Sequence, residues 1–78
     1  MKPEDFESIL KHAPFKRFTI HVDGRSIDVD HPEQVLLTPD KQTVVVALPD
    51  SGIQILDMEL ISSISIRGRG RSSRKASG

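Results

Sequence analysis

The chain has 78 residues, no cysteine and a formal net charge of zero, with eleven basic and eleven acidic side chains. That length suits one domain, and a domain this small buries only about 60% of the surface its unfolded chain exposes, so self-association is a natural source of extra stability. Without cysteine there is neither a disulfide framework nor a thiolate metal site, a composition that fits a reducing cytoplasm.

The N-terminal stretch MKPEDFESILKH carries charge where a secretory signal needs an apolar core. No apolar run approaches the roughly 20 residues that span a bilayer, so a soluble, cytoplasmic protein without membrane contact is expected. Residues 3–13 read as a short helix, because Phe6, Ile9, Leu10 and Ala13 recur on one stripe. Pro3 suits the first turn, Glu4 and Asp5 complement the positive end of the helix dipole, and Lys11 and His12 the negative end. Pro14 ends the helix by excluding helical geometry at Ala13.

Residues 18–29, FTIHVDGRSIDV, read as a hairpin over Asp23-Gly24, a two-residue turn that needs positive φ at both positions. This turn pairs Val22 with Arg25, His21 with Ser26, Ile20 with Ile27, Thr19 with Asp28 and Phe18 with Val29. Ile20, Ile27, Phe18 and Val29 then share one face, and His21, Ser26, Thr19 and Asp28 the other; a one-residue slip would mix them. Arg17 falls opposite Asp30 as an expected surface ion pair.

In residues 31–42, HPEQVLLTPDKQ, Val35-Leu36-Leu37 fits either a short strand or a buried loop, and Pro39-Asp40-Lys41 a turn. Thr43–Leu48, TVVVAL, is apolar on both parities and reads as a strand covered on both faces. Pro49-Asp50-Ser51-Gly52 is a tight turn. In residues 53–57, Ile53 and Ile55 are expected inward and Gln54 outward. After a brief turn at Met58-Glu59-Leu60, residues 61–66 form a last strand with Ile64 and Ile66 on one face and Ser63 and Ser65 on the other.

The final segment, RGRGRSSRKASG, holds Arg67, Arg69, Arg71, Arg74 and Lys75 and no acid, whereas residues 1–66 hold six basic and eleven acidic side chains. An acidic body of formal charge −5 therefore carries a basic segment of +5, and the Gly/Ser/Arg composition of residues 67–78 predicts disorder. Spaced guanidinium groups on such a chain are suited to weak, salt-dependent contact with nucleic-acid phosphates.

Helix, hairpin with an Asp-Gly turn, further short strands and the closing ILDMELISSISI together resemble the Sm-like (Hfq/LSm) version of the SH3-like small barrel. Residues Pro14, Phe15, Phe18, Ile20, Asp23, Gly24, Arg25, His31 and Pro32 also resemble the pattern of a group of small uncharacterised bacterial proteins, which implies no activity. The first resemblance implies a five-stranded antiparallel barrel, ring assembly and RNA binding at a pore. Where Hfq has a basic Lys-His pair in its late turn, this chain has Asp57-Met58-Glu59, so phosphate contact at a pore does not carry over.

A catalytic or metal role would need convergent ligands, and the His21 face offers one imidazole with Asp28 beside it. His12 and His31 have no clustered partner in sequence, and nucleophile, zincin and P-loop motifs are missing. No catalytic, cofactor or metal residue is therefore assigned. The expectation is a mainly β (α+β) domain over residues 1–66, acting as a non-enzymatic interaction module with no small-molecule substrate. Apolar residues in excess of a lone barrel's needs point to a homo-oligomer or protein partner. The alternative is an RNA- or DNA-binding accessory protein that uses the basic segment.

Overall fold

A computed structural model describes residues 1–67. One helix, α1 (Pro3–Leu10), precedes six strands: β1 (Phe18–Val22), β2 (Arg25–Val29), β3 (Val35–Leu37), β4 (Thr43–Leu48), β5 (Gly52–Asp57) and β6 (Ile61–Ile66). They form two three-stranded antiparallel sheets, in the orders β2-β1-β6 and β3-β4-β5. The strand beyond the five expected is β3, Val35–Leu37, the stretch whose three apolar residues are too few to show a period.

The first hairpin has the pairing that its turn dictates, from Phe18 opposite Val29 to Val22 opposite Arg25. Asp23 and Gly24 have φ of 51° and 75°, the left-handed pair that a two-residue turn needs to match strand twist. On the other side of β1, β6 pairs Phe18 with Ile66 and Ile20 with Ile64, and carries an extra residue between its partners of His21 and Val22. The bulge falls at Ser62, whose hydroxyl donates to the His21 carbonyl at 2.9 Å.

The chain passes between the sheets at two short 3-10 turns, each closed by a side chain. At Pro32–Gln34, Gln34 Oε1 accepts the backbone N–H groups of Asp30 and His31, both at 2.9 Å, while its Nε2 donates to the Ala47 carbonyl at 3.0 Å. At Met58–Leu60, Asp57 Oδ1 accepts the Glu59 N–H at 2.9 Å. These bonds satisfy donors that leave one ladder before entering the next.

The core lies between the sheets and under α1. Phe18, Ile20, Val22, Ile27, Val29 and Ile61 come from the first sheet, and Val35, Val44, Val46 and Leu56 from the second. Phe6 and Met58 fill the space between them, with the Phe6 ring edge-on to Phe18 at 6.1 Å between centroids and Phe15 tilted against Phe18 at 5.8 Å. The helix stops at Leu10, earlier than the stripe predicts, and Ala13 is exposed beyond it.

Glu7 fastens the helix surface, meeting Lys11 at 3.2 Å and Lys41 at 3.0 Å. The hydrogen bond from Lys41, then that from Lys11, holds its carboxyl below the usual range. Asp40 is lowered likewise, first by the Thr38 hydroxyl and then by the Gln42 N–H, which close the turn before β4.

Three further expectations change. β4 is covered on one face only: Val44 and Val46 are buried, whereas Thr43 and Val45 are half-buried and Ala47 exposed. In β5 the parity is reversed. Leu56 opposite Val44 faces the core, and Ile53 and Ile55 face outward, because pairing to β4 and not local hydrophobicity sets the face. The partner of Asp30 is Arg67, at 3.2 Å, and not Arg17.

Gly24 has open space where a Cβ would sit, so a side chain there meets only backbone strain. Gly24→Ala is expected to lower unfolding stability by about 1–2 kcal/mol, the penalty of a left-handed L-residue. A urea midpoint equal to that of the wild type would show that this turn does not constrain the hairpin.

Candidate interaction face

The residues that the sequence marks for chemistry lie mostly on the outer side of the first sheet. His21 stands on β1, the middle strand, and its ring bridges both neighbours: Nδ1 is 3.2 Å from Ser26 Oγ on β2 and Nε2 is 2.8 Å from Ser65 Oγ on β6. Each hydroxyl can donate or accept, so the three side chains tie the strands together in either tautomer of the imidazole. Asp28 is held by the Thr19 hydroxyl at 2.8 Å and does not approach His21 as a hydrogen-bond partner. Among the described residues no three His, Asp or Glu side chains come together as a metal site.

His12 and His31 lie elsewhere. The His12 ring donates from Nδ1 to the Pro14 carbonyl at 3.0 Å, just past the helix, and His31 is exposed at the corner before β3. Of the basic segment, Arg67 continues β6: its N–H donates to the Arg17 carbonyl at 2.9 Å. Its guanidinium reaches back over the sheet to Asp30, with Asp28 at 3.9 Å. Arg69, Arg71, Arg74 and Lys75, with the expected disorder of that segment, lie outside the described residues.

A different surface stands out on the second sheet. Leu36 on β3 is 61% exposed, and Ile53 and Ile55 on β5 are 68% and 72% exposed. The ladders place Leu36 opposite Val45 and Val45 opposite Ile55, so the three form a row across the sheet. Ile53 lies opposite Ala47 in the next row on the same face. Beyond Leu36 the apolar surface runs into a shallow groove of about 310 Å³ between β3 and α1, lined by Leu10, Leu37 and Pro39 and rimmed by Glu7 and Lys41.

This face is apolar because two constraints act on the same strand pair. The turn at Pro49–Ser51 is closed by Gly52, whose φ of 77° suits a residue without Cβ, and it aligns Leu48 with Gly52. That alignment commits Val44, Val46 and Leu56 to the core and leaves the odd-numbered positions of both strands outside. An outer face of a two-layer β domain ordinarily alternates to polar residues; here it carries valine, leucine and isoleucine. TVVVAL reads as a strand covered on both faces because valine falls on both parities, whereas in the fold its inner face alone is covered.

No helix among the described residues is long and apolar enough to cross a membrane. Comparison with protein-family models, with curated proteins and with solved structures finds no match to this chain.

Proposed function

We propose that the protein is a small non-enzymatic interaction module that self-associates through the apolar surface centred on β5. The two sheets, exchanging strands at short 3-10 turns, are read as an SH3-like small barrel in the Sm-like arrangement. Supporting this are the helix before β1, the pairing of first strand with last, and the 3-10 turn before the last strand. The observation that carries the functional reading is the aligned exposure of Leu36, Ile53 and Ile55 on one sheet face. Contiguous apolar surface of this kind on a small chain marks a contact site.

Magnitudes are consistent with a second copy as partner. Fully burying one such side chain gains roughly 1.5–3 kcal/mol, so covering Ile53 and Ile55 in each of two copies offsets part of the roughly 4–15 kcal/mol lost on association. The side chains are already partly covered, so the apolar gain alone sits near balance and needs additional directional contacts. On the first sheet, the His21, Ser26 and Ser65 cluster is read as strand cross-linking and not as catalytic machinery.

A second reading rests on charge: Arg69, Arg71, Arg74 and Lys75 contact nucleic-acid phosphates while the acidic body stays clear of them. Removing residues 68–78 is expected to abolish single-stranded RNA binding in a filter assay at physiological salt. Binding that survives the truncation would eliminate this reading. For the primary reading, light scattering after size exclusion is expected to give a dimer for the wild type and a monomer for Ile55→Asp, with unchanged circular dichroism. A wild type that stays monomeric at high micromolar concentration would refute self-association.

A further inference from the structure

We propose that two copies join through their β5 edges, antiparallel and about a two-fold axis at Gln54, to make one continuous six-stranded sheet. This rests on the self-association reading above and specifies its geometry.

The two sheets present four edge strands, β2, β6, β3 and β5. Proteins protect such edges with charge, proline, shortness or a bulge. β2 carries Arg25 and Asp28; β3 is three residues long, with Pro32 and Pro39 close on either side; β6 carries the bulge at Ser62. β5 is six residues long, without Lys, Arg or Pro, and its ladder to β4 is continuous. Its one charged residue, Asp57, stands at its last position, and Arg25 of β2 donates to the Gln54 side chain at 3.1 Å, which leaves β5 the least protected of the four edges.

The direction of its free backbone groups follows from the ladder. Met58 N–H donates to the Gln42 carbonyl at 2.9 Å, which places this pair in the hydrogen-bonded class. In an antiparallel ladder the classes alternate. Leu56 with Val44 and Gln54 with Val46 therefore bond to each other, whereas Ile53, Ile55 and Asp57 turn their N–H and C=O away from β4. The opposite side of β4 agrees: the Thr43 carbonyl, out of phase with β5, accepts the Thr38 N–H at 3.0 Å. The outward groups of β5 thus belong to Ile53, Ile55 and Asp57.

A second β5 can meet these groups in few frames. Residues directly opposite share a face, so Ile53 and Ile55 must lie against outer-face residues of the partner copy. Centring the axis on Gln54 sets each Ile53 against the other copy's Ile55 and exchanges both backbone bonds at each pair. Asp57 then falls opposite Ser51, beyond the apolar pairs, and the two Asp57 side chains lie at opposite ends of the junction. Centring on Ile55 instead sets Asp57 against Ile53, a carboxylate against an aliphatic chain. The Gln54 frame is the one that sets both isoleucines against isoleucine, and its row of Leu36, Val45 and Ile55 runs on into Ile53 and Ala47 of the second copy.

Two substitutions test this on the full chain. Gln54→Cys introduces a lone cysteine on the axis, in a pair of the closely spaced class, and mild oxidation is expected to convert most of the protein to disulfide dimer; Ile55→Cys is expected to cross-link poorly. Ile55→Pro removes an outward N–H without touching the β4 ladder, a change that an edge strand tolerates, and is expected to give a folded monomer. Preferential cross-linking through Ile55→Cys, an Ile55→Pro variant that is still dimeric, or a wild-type assembly larger than two copies would overturn the proposal. A dimer lost in Ile55→Asp and kept in Ile55→Pro would overturn edge pairing while leaving self-association through the face intact. A monomeric wild type would remove both.

Discussion

The alignment of β5 on β4 is the constraint from which the exposed apolar face follows. Val44 lies opposite Leu56 and Val46 opposite Gln54, so the core takes one parity of each strand. With Val44, Val46 and Leu56 buried beneath the sheet and Leu48 packed against the same core, Val45, Ala47, Ile53 and Ile55 are left on the outside. A slip of one residue would bury Ile53 and Ile55 and expose Leu56, exchanging the core with the contact face. The turn closed by Gly52 and the Met58–Gln42 backbone bond fix the frame at its two ends.

The first sheet does a different job. Its outer side is polar, with Thr19, Asp28, His21, Ser26 and Ser65 bonded to one another across three strands. Arg67 adds an ion pair to Asp30 at the end of the sheet. Exposed bonds and pairs of this sort contribute little stability each, but they link Thr19 to Asp28 and His21 to Ser26 and Ser65 across that face. The chain thus has one sheet whose outer side is polar and cross-linked and another whose outer side exposes Leu36, Ile53 and Ile55, and on this asymmetry the proposed contact surface rests.

Residues 18–29 were legible from sequence because a local device, the Asp-Gly turn, specifies register, and the resulting pairs separate Ile20 and Ile27 from His21 and Ser26 without ambiguity. β5 was not legible in the same way. Ile53 and Ile55 are more hydrophobic than Gln54 and Leu56 taken together, so a strand read alone turns them inward. The face is decided by β4, and TVVVAL offers valine on both parities and so votes for neither. Val35–Leu37 is too short to carry a period, and becomes a strand because Gln34 turns the chain into the second sheet. Arg67 pairs with Asp30 because β6 returns beside β1, a tertiary relation that sequence spacing does not contain.

Amide hydrogen exchange along β5, followed residue by residue as the protein is diluted, tests this arrangement most directly. Gln54 and Leu56 amides, bonded to β4, are predicted to stay protected at every concentration. Ile53 and Ile55 amides are predicted to be protected only in concentrated solution and to exchange quickly on dilution. Ile53 and Ile55 amides protected at all concentrations, with Gln54 and Leu56 exchanging fast, would contradict the account by placing the isoleucines on the inner ladder.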